Sequence, residues 1–137
     1  MLTLDSTRDF ISEVAKSCDI CLKPWRHSVF DNSESNDSSL VSESQTMDII
    51  LRVECRSQDG QRFSDNDLEI EIYRSGNDLS INLSWLSFPE RPILWFGKHS
   101  IWMDSSTGLR SQTPTGGSNL ESLARRLRSS FLYEDEN

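Results

Sequence analysis

Long apolar runs are missing from this chain. No stretch approaches the roughly 18 consecutive apolar residues of a membrane span. The start, Met1-Leu-Thr-Leu-Asp-Ser-Thr-Arg-Asp9, has no basic segment followed by an apolar one, so it does not read as a secretory signal. Basic charge is also scarce. Fourteen Lys and Arg stand against 22 Asp and Glu, a formal net charge of -8. A phosphate-binding surface needs clustered cations to displace counterions, so nucleic acid is not the expected partner. Cysteine is limited to Cys18, Cys21 and Cys55. An odd number without a secretion signal fits a reducing compartment better than a disulfide scaffold, and the cytoplasm is the expected location. Only two histidines, His27 and His99, are present. They read as exposed loop residues, and neither neighbours a Ser or Cys in a nucleophile motif. The apolar fraction of 35% is low for a globular chain, which means that part of the chain belongs to no core.

That part is residues 31–46, nearly all Ser, Asn, Asp and Glu, with only Leu40 and Val41 able to bury anything. Such a segment cannot offset its ordering entropy and reads as a flexible linker. Before it, Phe10, Ile11, Val14, Cys18, Cys21 and Leu22 follow helical spacing, with Ser6 as N-cap and Pro24 as terminator. Residues 1–30 are therefore expected to hold one amphipathic helix. Such a helix is not stable alone and must dock on the following domain or on another protein.

After the linker the pattern becomes alternation. Met47, Ile49, Leu51, Val53 and Cys55 share one face, as do Leu68, Ile70 and Ile72, and then Leu79, Ile81, Leu83 and Trp85. Ser75-Gly-Asn-Asp78 is a hairpin signal between the last two runs. Residues 93–96 and 100–103 read as two short strands around Gly97-Lys98-His99. Gly116-Gly117 precede a helix whose Leu120, Leu123, Ala124, Leu127 and either Phe131 or Leu132 form one face, with Arg125, Arg126 and Arg128 on the other. Ser118 and Glu121 have capping-box spacing. The expected class is α+β: an antiparallel meander of four to five strands with the C-terminal helix on one face, plus the N-terminal helix on its linker. Residues 47–132 form the folding unit and 133–137 an acidic tail. Met47 opens this unit so cleanly that residues 1–46 read as an extension added to an older domain.

Candidate chemistry is sparse. Cys18-Asp-Ile-Cys21 has the spacing of a metal half-site or a redox dithiol. A structural zinc site needs four ligands, and the remaining candidates are scattered singly. The pair also falls near the helix end, where the dipole opposes thiolate formation. Both cysteines complete the apolar stripe, so two small core residues is the plainer account. Gly97-Lys98 lacks the other residues of a phosphate loop. Thr113-Pro-Thr-Gly-Gly-Ser118 opens a helix and reads as a connection plus cap. Asp104-Ser-Ser-Thr-Gly108 reads as a turn. Glu69 and Glu71 read as a solvated strand face; Arg125, Arg126 and Arg128 could bind an acidic partner, though a solvated helix face is the plainer reading.

The feature that stands out is aromatic. Three of the four tryptophans fall between Trp85 and Trp102, with Phe88 and Phe96 among them. Trp85 continues the inward register of its strand. Trp95 and Phe96 are neighbours in a strand and must face opposite sides, as must Ile101 and Trp102. One face can be covered by the C-terminal helix. The other has only the N-terminal helix available, and without it at least one ring is exposed beside Pro89, Glu90 and Arg91. Phe88, Arg91, Trp95, Phe96 and Trp102 are the candidate partner-binding residues.

The run from Leu68 to Leu127, with Glu-Ile-Glu-Ile-Tyr-Arg-Ser-Gly, Pro-Ile-Leu-Trp and Leu-Ala-Arg-Arg-Leu, resembles small uncharacterised proteins of cyanobacteria. The resemblance implies a bacterial cytoplasm and an accessory role near photosynthesis. It carries no catalytic residue. The sequence thus points to a non-enzymatic accessory or interaction domain with a protein partner, no cofactor and no catalytic residue. A homo-oligomer is left open. The alternatives are a metal or thiol-redox protein through Cys18 and Cys21, and a domain that binds a small ligand between its layers.

Overall fold

A computed structural model describes residues 7–32 and 46–131 of the chain. Helix α1 (Thr7–Cys21) leads into strand β1 (Arg26–Asp31). Five further strands come next: β2 (Thr46–Arg56), β3 (Leu68–Ser75), β4 (Asp78–Trp85), β5 (Ile93–Phe96) and β6 (Ser100–Met103). Helix α2 (Gly117–Phe131) closes the sequence of elements. The strands form one sheet in the order β1-β2-β3-β4-β5-β6, each antiparallel to its neighbour. The class is α+β, as expected, with six strands rather than four or five.

The additional strand is β1. Arg26-His-Ser-Val-Phe-Asp31 shows little alternation of polarity, and it borders the polar stretch, so it carries no strand signal of its own. Pairing with β2 supplies the signal instead, with Val29 opposite Val53 and His27 opposite Cys55. The expected linker lies mostly outside the described residues, as do Ser6 and the acidic tail.

One face of the sheet is the core. Ile49, Leu51, Val53, Leu68, Ile70, Ile72, Leu79, Ile81, Leu83, Leu94, Phe96 and Trp102 are all buried on it. Leu120, Leu123, Ala124, Leu127 and Phe131 of α2 pack into the same cluster, and so do Phe10, Val14 and Cys18 of α1. Burying a Val or Phe side chain contributes about 1.5–3 kcal/mol, so α1 is a structural part of this core. The two helices also touch each other. The Phe10 and Phe131 rings lie 4.9 Å apart, and the Ser130 hydroxyl donates to Glu13 Oε2 over 3.0 Å. Residues 7–31 therefore share one core and one sheet with the residues after 46.

Two connections fix how the strands sit. Ser75 pairs with Asp78, which leaves a two-residue hairpin in which Gly76 takes a φ of 63°, open to glycine at little cost. Between β2 and β3, buried Asp67 anchors the loop. Its carboxylate accepts from the Cys55 backbone N–H at 2.8 Å and from both terminal nitrogens of Arg62 at 3.0 and 2.8 Å.

Candidate functional site

Strand alternation and helix placement sort the aromatic residues. Both helices pack on the core face, and no described element covers the other. Phe96 lies opposite Ile81 and Trp102 opposite Leu94, so both rings join the core and are 6% and 3% exposed. The expectation that Phe96 and Trp102 contribute to a partner surface is therefore corrected. Their register places them under α2. The Trp102 indole N–H donates to Glu121 Oε2 over 2.6 Å, which ties β6 to the first turns of α2.

Trp95 is on the uncovered face. The pairings run Ile50, Glu71, Asn82, Trp95, Ile101 in one row across β2 to β6. Ile93 and Met103, two positions along their strands from Trp95 and Ile101, share that face and pair with each other. The apolar part of the open face thus belongs to β5 and β6, and the charged part to β2 and β3. Within the charged part, burial raises the Glu71 carboxyl above its ordinary value. The neighbouring Asp48 carboxylate adds to the effect, both by repulsion and by sharing a hydrogen bond.

Where this face meets the Gly97 turn, the surface is concave. The cleft measures about 450 Å³, within the usual range for ligand sites. Tyr73, Trp95 and Ile101 supply its apolar walls, and Lys98, His99 and Arg128 its basic groups. Asp78 is the one carboxylate-bearing residue among those lining it. Gly97 explains why the indole sits as it does: a Cβ there would lie 2.7 Å from the far edge of the Trp95 ring. The ring therefore rests on bare backbone. The Nε of Arg128 is buried and has no hydrogen-bond partner among the described residues. An unpaired buried donor of this kind is uncommon.

Phe88 and Arg91 are in the loop between β4 and β5, at the strand ends away from Gly97. The Arg91 guanidinium lies over the Phe88 ring at 4.4 Å and over the Trp85 ring at 5.1 Å, a cation–π stack. Of the five candidate residues, then, one lies in the cleft, two are core, and two form a separate stack. The structure does not bring them together as one surface. Trp85 is half-buried against the core, as its register implies, and its indole N–H is buried without a partner among the described residues.

A second, smaller cleft of about 150 Å³ lies at that end, between Trp25, His27, Cys55, Trp85 and Leu120. His27 is not an exposed loop residue. Its side chain is 1% exposed, with Nδ1 held 2.9 Å from Asp19 Oδ1. Cys18 sits wholly in the core, and burial is the main cause that raises its thiol pKa. Burial also raises the pKa of Cys21 and of Cys55. Groups of three or more His, Cys, Asp or Glu placed to hold a metal are absent among the described residues.

Two polar features differ from their sequence reading, and one agrees. Glu121 binds Trp102 rather than closing a capping box on Ser118, because α2 begins at Gly117, two residues before the Asn119 that an N-cap at Ser118 implies. Arg128 does not share the solvated helix face expected of it, and lines the cleft instead. Asp104 does form the expected turn. Its carboxylate accepts from the Ser106 hydroxyl and from the backbone N–H groups of Ser106 and Thr107, which holds it below its ordinary pKa. Tyr73 carries no local signal of a site, and Arg128 only that of one basic residue among three on α2, because the residues that line the cleft come together only in the fold. Lys98, three positions after Trp95 in sequence, could have been grouped with it.

No described helix is long and apolar enough to cross a membrane. Searches of curated proteins and of solved structures return no match. A family model matches residues 11–130, a span that takes in most of α1, all six strands and nearly all of α2. The chain accordingly belongs to the family described as a domain of unknown function, DUF8659.

Proposed function

We propose that this domain is a non-enzymatic interaction module, and that its partner is another protein seated on the open face of the sheet around Trp95. One observation carries the reading. Both helices lie on one side, while Trp95, Ile93, Ile101 and Met103 form a continuous apolar group on the other. A tryptophan held rigidly against a glycine loses little freedom on binding, which suits an interface anchor. The thiol alternative has less support, since a buried, protonated Cys18 is neither a nucleophile nor an accessible ligand. The resemblance to cyanobacterial proteins supports a bacterial cytoplasmic setting for such an accessory role.

The test compares Trp95→Ala and Ile101→Lys with the wild type, using partner capture from the native source and circular dichroism of each variant. Both variants should keep the wild-type spectrum and lose the same captured protein. Retention of that protein by both folded variants would overturn the proposal. The expected affinity loss for Trp95→Ala is about 2 kcal/mol or more, roughly 30-fold.

A further inference from the structure

Resting on that interaction reading, we infer that the Trp95 cleft receives an acidic peptide segment of the partner, with an aromatic or aliphatic side chain set against the indole. The charge balance points this way. The chain as a whole has a net charge of -8, yet the cleft gathers the cations Lys98 and Arg128 against Asp78 alone, with His99 as a further hydrogen-bonding group. Clustering cations inside an acidic protein costs no solubility but focuses a local positive field, which selects anionic ligands and repels basic ones.

Arg128 gives the stronger argument. Its Nε is buried without an acceptor among the described residues. A buried N–H without an acceptor is costly, and because Arg128 lines the cleft, a carboxylate bound there would place an acceptor beside its guanidinium. The apolar half of the site then sets the second requirement. Tyr73, Trp95 and Ile101 form walls with no charge to satisfy, so the segment needs one flat or branched apolar side chain between its carboxylates. Ile93 and Met103, paired on the same sheet face two positions from Trp95 and Ile101, carry the apolar surface beyond the cleft.

The probe is an unbiased displayed library of random heptapeptides, panned on the 137-residue chain and, in parallel, on a Lys98→Gln/Arg128→Gln double variant. Lys98 is exposed in a turn, so a Lys98→Gln single variant keeps the test meaningful if the double variant folds poorly. Enrichment of Asp or Glu flanking an aromatic or aliphatic residue on the wild type, lost on the variants, is the expected result. A synthetic peptide of the enriched sequence should bind at least tenfold more weakly when its acids become amides, and more weakly as salt is raised. Enrichment of neutral or basic peptides, equal binding by the variants, or no enrichment at all would overturn the inference. The two ideas fail separately. If Trp95→Ala loses the captured partner while Lys98→Gln/Arg128→Gln keeps it, the interaction face stands and the acidic ligand does not. If Trp95→Ala keeps the partner, the interaction face itself falls.

Discussion

The Trp102 indole donates to the Glu121 carboxylate over 2.6 Å, joining the last strand to the helix that covers it. The bond satisfies a donor that the core would otherwise bury. Glu121→Ala should therefore cost about 1–3 kcal/mol, read as a lower urea midpoint at unchanged slope. Glu121→Gln keeps an acceptor at the same place and should cost clearly less. Equal losses for the two variants would mean that the contact contributes through packing and not through the acceptor.

Asp67 makes acid stability a local matter. Burial pushes its carboxyl pKa up, but the hydrogen bonds from Arg62 and from the Cys55 N–H, with the Arg62 charge, outweigh burial and leave it lowered. A lowered folded pKa gives stability that is present in full above the unfolded value near 3.9 and is lost as pH falls through the folded value. Asp67→Asn should cost about 1–3 kcal/mol at neutral pH. It should also flatten the decline in urea midpoint below about pH 4. An undiminished acid decline in the variant would assign it to other carboxylates.

Glu71 behaves in the opposite sense. Burial first, and then the Asp48 carboxylate, raise its pKa on the open face. A carboxyl raised in the folded state contributes stability while protonated and loses it as pH rises through the folded value. Glu71→Gln should therefore stabilise the protein by up to about 1 kcal/mol at pH 8, with the advantage shrinking as pH falls toward 4. Midpoints at three pH values test the trend. A pH-independent difference would rule out the Asp48–Glu71 repulsion as its source.

A chain beginning at Met47 bears on the sequence reading of 47–132 as the folding unit. Such a chain lacks Phe10, Val14 and Cys18 from the core and leaves one edge of β2 unpaired. It should show no cooperative urea transition and should bind a hydrophobic dye. A sharp transition close to the wild-type midpoint would show that α1 and β1 are dispensable.

What was legible in the sequence was whatever had a local period. Ile49 to Cys55, Leu68 to Ile72 and Leu79 to Leu83 announce their strands because one face of each is buried and the other is not. The Leu120 to Phe131 stripe announces α2 in the same way. Alternation also separates Trp95 from Phe96 and Ile101 from Trp102, though not which member of each pair faces the core. The register of β4 against β5 decides that, through Ile81 and Phe96. Strand β1 is hidden because its partner supplies the reason for it to be extended. The cleft is hidden for a related reason. Arg128 and Trp95 are 33 positions apart and meet only when α2 lies across the sheet.

The contact between Glu13 and Ser130 spans 117 positions. It sets an order of events during synthesis. While the strands are leaving the ribosome, the aliphatic face of the sheet has α1 beside it but not yet α2. That face cannot be closed until Phe131 has emerged and met Phe10. Contacts at such separation must meet their loop-closure cost before they stabilise anything. The face therefore stays open from the emergence of β2 until α2 has followed β6 out. A pause in translation before α2 would lengthen the time for which that apolar surface is exposed and open to aggregation.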